Sequence, residues 1–100
     1  DKDGSVQHLD CLTEREKNVF KTYCEIDQMD IIYQAANRQS HIDQGQSVNI
    51  MVHPDMSAKE INQIYITAWK LGLKSLYYQH SMNAAQQFKQ KKNDCTSCEA

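Results

Sequence analysis

Apolar positions recur along this chain with two different periods. Thr13 and Glu16 form a capping box: the hydroxyl accepts from the third helical amide and the carboxylate reaches back. A helix is predicted to start there. Val19, Tyr23 and Ile26 follow at helical spacing with Phe20 and Cys24 beside them, and Ile31, Ile32, Tyr33, Ala35 and Ala36 extend the pattern. Residues 14–42 therefore fit one long helix or two separated near residues 26–30. Gly45 breaks the pattern. Val48, Ile50 and Val52 then alternate with Ser47, Asn49 and Met51, a strand signal that His53-Pro54-Asp55 ends.

A second capping box, Ser57 with Glu60, opens a helix running to about Leu71. Its apolar face is Ile61, Ile64, Tyr65, Ala68 and Leu71, widened by Ile66 and Trp69. Gly72 stands in the usual C-terminal stop position. Residues 73–78 are apolar and aromatic and are expected to form a second strand. Residues 1–12 read as a loop, 81–92 as a weak helix, and 93–100 as a mobile end. A crossover of this length between two strands favours a parallel pair. Two parallel strands need neighbours that the order helix, strand, helix, strand does not supply, which points to a piece of a larger α/β barrel.

Composition narrows the function classes. The 100 residues are 40% hydrophobic and carry a net charge of −2, which fits one small domain and argues against a nucleic-acid binder with a basic stripe. Lys89, Lys91 and Lys92 are diluted by Asp94 and Glu99 and read as a solvated tail. No apolar run reaches membrane-spanning length and no signal peptide is visible. Cys11 and Cys24 are isolated, and Cys24 reads as a small buried hydrophobe. Cys95 and Cys98 form a terminal C-x-x-C, which in a reducing compartment implies redox chemistry or metal binding; the expected location is the cytoplasm. A tetrahedral site needs two more ligands, and His8, His41, His53 and His80 show no paired spacing. Asp27 and Asp30 share a helical face and read as a solvated face or an inter-helix contact rather than as paired acids. His53 beside Pro54 reads as a turn residue.

One run is more specific. Ala68-Trp69-Lys70-Leu71-Gly72 followed by Lys74-Ser75-Leu76-Tyr77-Tyr78-Gln79 is similar to the last barrel strand of class I ribonucleotide reductase large subunits. His41-Ile42-Asp43-Gln44 with Gln46-Ser47-Val48-Asn49 resembles that family's I-D-Q-S-x-S-x-N segment, with Gly45 where serine is usual. Cys95-Thr96-Ser97-Cys98-Glu99-Ala100 looks like its paired-cysteine tail. The resemblance covers most of the chain. It implies a C-terminal helix-strand-helix-strand portion of a ten-stranded α/β barrel over residues 1–80 and a flexible redox tail over 81–100.

The same resemblance implies an oxidoreductase that converts ribonucleoside diphosphates to 2′-deoxyribonucleotides. Its other parts would be the remainder of the large subunit and a radical-generating small subunit. Thioredoxin or glutaredoxin would be the reductant, and a nucleoside diphosphate the substrate. No cofactor is expected on this segment; the radical or metal cofactor would reside in the partner subunit and the allosteric nucleotides elsewhere in the large subunit. Tyr77 and Tyr78 would be the radical relay, with Tyr78 nearer the partner and Tyr77 nearer the active-site thiol. Cys95 and Cys98 would re-reduce the active site. The helix near residues 57–72 would offer a stripe such as Ile61, Ile64 and Tyr65 to the partner's C-terminal tail, or pack on the barrel. Side chains of neighbouring strand residues point to opposite faces, so stacked phenols require the strand to bend at this dipeptide. The rival reading is a non-enzymatic helical interaction module with a metal-binding or regulatory C-x-x-C tail.

Overall fold

The computed structural model describes residues 4–81. Three helices and two short strands follow one another: α1 (Glu14–Val19), α2 (Gln28–Gln39), β1 (Ile50–Val52), α3 (Ala58–Lys70) and β2 (Gln79–Ser81). The strands pair in parallel, with Ile50 opposite Gln79, Met51 opposite His80 and Val52 opposite Ser81. α2 and α3 pack together, and α2 also touches β1. The order from α2 onward is the expected helix, strand, helix, strand, and the small core lies between these two helices and the strand that separates them in sequence.

That core comprises Ile32 and Ala35 from α2, Val48 and Ile50 from the β1 segment, Ile64 and Ala68 from α3, and Leu73 after it. The alternation predicted around β1 holds, since Val48, Ile50 and Val52 are buried while Ser47, Asn49 and Met51 are not. The predicted face of α3 is narrower than its sequence suggests. Ile64 and Ala68 are buried, whereas Tyr65, Leu71 and especially Trp69 are exposed.

Both capping boxes form. Thr13 Oγ1 accepts from the Glu16 amide and Ser57 Oγ from the Glu60 amide, and each glutamate returns a bond to its cap. α3 ends in a Schellman turn: the Gly72 amide donates to the Trp69 carbonyl at 3.1 Å and the Leu73 amide to the Ala68 carbonyl at 3.0 Å. Gly72 takes the left-handed φ of +85° that this turn requires.

The 14–42 region is two helices, and the break lies earlier than residues 26–30. α1 ends at Val19, so the face built from Val19, Tyr23 and Ile26 does not exist as such; Val19 and Phe20 are exposed. A second Thr-x-x-Glu pair occupies the break. The Glu25 carboxylate accepts from the Thr22 amide at 2.9 Å and from the Ser5 hydroxyl, while the Glu25 amide returns to the Thr22 carbonyl at 2.9 Å. These bonds close a turn in place of helix. Asp27 then caps α2 by accepting from the Met29 amide at 2.9 Å, so it precedes the helix rather than sharing a face with Asp30.

The second strand is also displaced. The apolar pattern places it over residues 73–78, and it occurs at Gln79–Ser81. Of the weak helix expected over 81–92, Ser81 belongs to β2 and the rest lies outside the described residues. None of the described helices is long and apolar enough to cross a membrane.

Candidate functional site

The site forms where the chain leaves α3 and runs back beside β1. Its register decides the placement of Tyr77 and Tyr78. Carrying the β1–β2 pairing one step back sets Tyr78 opposite Asn49. In a regular parallel ladder the Tyr78 amide would then donate to the Val48 carbonyl. Instead the Tyr77 amide takes that carbonyl, at 2.8 Å. The Tyr78 carbonyl keeps its ladder bond from the Ile50 amide at 3.0 Å. The Tyr78 amide turns to Asn49 Oδ1 at 3.3 Å. Two residues thus fill the place of one, which is a β-bulge.

The bulge resolves the stacking problem posed by the dipeptide. The amides of Tyr77 and Tyr78 both point at the β1 segment, so their side chains no longer alternate between faces. The ring centroids lie 4.2 Å apart with the planes tilted by 57°. Both rings are more than half exposed, Tyr77 at 60% and Tyr78 at 55%. The Tyr77 phenol titrates above its ordinary 10.0, chiefly through hydrogen bonding with Tyr78 and secondarily through slight desolvation. It is therefore protonated at neutral pH. The His80 ring follows, 5.9 Å from that of Tyr78.

The 43–45 segment lies against the residues that lead into the dipeptide. Lys74 Nζ donates to the Asp43 carbonyl. Gly45 lies so close to Ser75 that a Cβ there would stand 3.2 Å from its hydroxyl. The 43–46 loop is held in turn by two glutamines. Gln39 Nε2 donates to the carbonyls of Ile42 and Gln44 at 3.1 and 2.9 Å, and Gln46 Nε2 to the Ala35 carbonyl at 2.8 Å. On the open side of β1, Tyr23, Arg38, Gln46, Asn49, Met51 and His80 line a hollow of about 760 Å³. The Tyr23 hydroxyl donates to the Asn49 carbonyl. Burial first, and the Cys24 thiol second, push the Tyr23 phenol up.

Other candidate residues fall elsewhere. Cys95 and Cys98 lie outside the described residues. Cys11 is an exposed free thiol, and Cys24 is a half-buried one rather than a fully buried hydrophobe. The Cys24 carbonyl bonds to His53 Nε2 at 2.8 Å, so His53 ties the 20–27 turn to the end of β1 as well as sitting in a turn itself. Ile64 of the suggested docking stripe is buried in the core. Tyr65 is exposed and donates through its hydroxyl to Gln79 Oε1 at 2.6 Å, which ties α3 to β2. Among the described residues no cluster of His, Cys, Asp and Glu fits a metal ion. Sequence reasoning gave no role to Gln28, Gln39 or the side chain of Asn49. The signals available for Asn49 were its place on the non-core parity of β1 and its position as the last residue of the segment resembling I-D-Q-S-x-S-x-N.

Residues 1–79 match the family described as ribonucleotide reductase, barrel domain. The chain belongs to that family. It corresponds to a C-terminal segment of a ribonucleotide reductase large subunit. It is 43% identical to the large subunit of Invertebrate iridescent virus 3 ribonucleoside-diphosphate reductase, over 97% of this chain and 17% of that protein. It is 49% identical to the corresponding subunit of Invertebrate iridescent virus 6, over 82% of this chain and 9% of that protein. Among solved structures, the Actinobacillus ureae class Id ribonucleotide reductase alpha subunit superposes with a TM-score of 0.79 and 63% identity, covering 84% of this chain and 16% of that one. This ribonucleotide reductase segment therefore spans less than a fifth of the length of these relatives.

Proposed function

We propose that this segment serves a class I ribonucleoside-diphosphate reductase by relaying a radical through Tyr77 and Tyr78 and by returning electrons through Cys95 and Cys98. The 4.2 Å ring contact at the bulge is the observation that carries the relay. An electron leaving one phenol alone would leave a strongly acidic cation, and isolated charge is costly away from water. Two touching phenols avoid it. Tyr78 gives its hydrogen atom to an oxidised group on the radical-generating small subunit, and its O–H bond breaks. Tyr77 then gives its own hydrogen atom to the Tyr78 phenoxyl, restoring that O–H bond. Tyr77 in turn takes the hydrogen atom of the active-site thiol, which lies in the remainder of the large subunit. One electron and one proton move together at each step. The radical or metal cofactor would reside in the partner subunit.

The tail chemistry rests on the C-x-x-C spacing. Reducing a ribose hydroxyl of a nucleoside diphosphate consumes two electrons and leaves an active-site disulfide. A thiolate from the Cys95 and Cys98 pair attacks that disulfide, and exchange leaves the active site as a dithiol and the tail as a disulfide. Thioredoxin or glutaredoxin then reduces the tail. In this reading residues 1–80 belong to the barrel, residues 81–100 carry the dithiol, and the enzyme works in the cytoplasm. The exposed Tyr65 and Trp69 side of α3, with part-buried Ile61, would receive the small subunit's tail in place of Ile64.

Tyr77→Phe and Tyr78→Phe in the complete subunit, assayed with its partner, are expected to abolish turnover while leaving the fold intact by circular dichroism. Substantial turnover in either variant would remove the relay. Cys95→Ser and Cys98→Ser are expected to block turnover with thioredoxin and to spare it with a small dithiol. Equal losses with both reductants would remove the shuttle.

A further inference from the structure

We propose that Asn49 is the positioning residue for the tyrosine pair: its carboxamide oxygen takes the Tyr78 amide and so fixes the bulge that brings the two rings together. The bulge displaces that amide from the ladder, because Tyr77 has already claimed the Val48 carbonyl. A displaced amide that bonds only to water leaves the dipeptide free to slip by one residue, and such a slip sends the side chains to opposite faces. Asn49 Oδ1 supplies a fixed acceptor in its place.

Asn49 is itself well anchored. Val48 and Ile50 on either side are core residues. Its own carbonyl accepts from the Tyr23 hydroxyl. Its side chain leaves β1 away from the core, on the side where a short carboxamide reaches a neighbouring backbone amide. Serine is too short for that span, and an apolar residue offers no acceptor. The consequence for turnover rests on the relay proposed above; the placement of the rings does not.

The test uses the complete large subunit with its small subunit. Asn49→Leu keeps the size of the side chain and removes the acceptor. Its crystal structure is expected to show the Tyr78 amide on the Val48 carbonyl and the two phenol rings moved apart. Its kcat is expected to fall about a hundredfold, as an ångström-scale misplacement of reacting groups does, with KM for a ribonucleoside diphosphate unchanged. Asn49→Asp retains an acceptor oxygen and is expected to bring the rings back together and restore most of the turnover. An ester in place of the Tyr77–Tyr78 amide removes the Tyr78 N–H, and with it the bond to Asn49, and is expected to part the rings and lower kcat in the same way, which tests the bond even if the Leu variant fails to fold. Rings still touching in the Leu variant or the ester overturn the role of Asn49. Rings parted with turnover intact uphold it and overturn the relay instead.

Discussion

The buried stripe of α2 begins and ends in glutamine. Gln28, Ile32, Ala35 and Gln39 follow one another along the helix, and all four are buried. Each glutamine stands in for secondary structure that the chain lacks. Gln28 Oε1 accepts from the Met51 amide at 2.7 Å, while its Nε2 donates to the carbonyls of Tyr23 and Ile26 at 3.2 and 3.0 Å. One side chain thus joins β1 to the turn before α2. Gln28→Leu would fit the volume but leave the Met51 amide without its acceptor, a loss of about 1–3 kcal/mol. Amide exchange at Met51 is the direct measurement, and its protection is expected to fall more than that of Ile50 or Val52. Unchanged protection at Met51 would show that the bond contributes nothing. Residues of this kind are hard to see in a sequence, because glutamine carries no periodic signal. The phenol pair was visible for the opposite reason, since two adjacent tyrosines in the run Lys74-Ser75-Leu76-Tyr77-Tyr78-Gln79 are a specific pattern.

Elements were legible where their ends are specified locally. The Ser57 and Glu60 box and Gly72 mark the two ends of α3, and each needs only a hydroxyl, a carboxylate or a missing Cβ at one spacing. The helical spacing of Val19, Tyr23 and Ile26 misled, because Thr22 and Glu25 close a turn there. β2 was misplaced because its start depends on the Asn49 carboxamide, 29 residues earlier in the chain, and no local pattern encodes that bond. Ser57→Ala is expected to cost about 1 kcal/mol of helix stability, as loss of a hydroxyl cap usually does. The box also predicts a pH dependence. Bonds from the backbone and then the hydroxyl of Ser57 hold the Glu60 carboxyl below its ordinary 4.5. A carboxyl whose folded pKa is depressed stabilises the fold above its unfolded value and loses that contribution as pH falls through the folded one. Parent α3 is therefore expected to weaken below about pH 4.5 in a way that Glu60→Gln does not. Matching acid profiles of parent and variant, read by helical circular dichroism, would show that the carboxylate is not responsible.

At the scale of the whole chain the question is whether residues 4–81 supply enough core. Their buried apolar side chains are Ile32, Ala35, Val48, Ile50, Val52, Ile64, Ala68 and Leu73. Two of these are alanines, and Val19, Phe20, Trp69, Tyr77 and Tyr78 are left more than half exposed. The two-stranded sheet has bare outer edges among the described residues, and so small a sheet is marginal without neighbours. A barrel supplies both missing things, since further strands cover the edges and further helices cover the apolar patches. The isolated 100-residue chain is therefore expected to unfold in urea over a broad range. Emission of Trp69, its single tryptophan, and helical circular dichroism should then fail to coincide. The apparent slope should lie below the roughly 1 kcal/mol/M found for small cooperative domains. Within the complete subunit the same segment should be protected from amide exchange along α2, β1 and α3 together. A single steep transition of the isolated chain, identical by both probes, would mean that its core suffices alone. The chain would then be a self-contained module, and the bare sheet edges would need another explanation than the rest of a barrel.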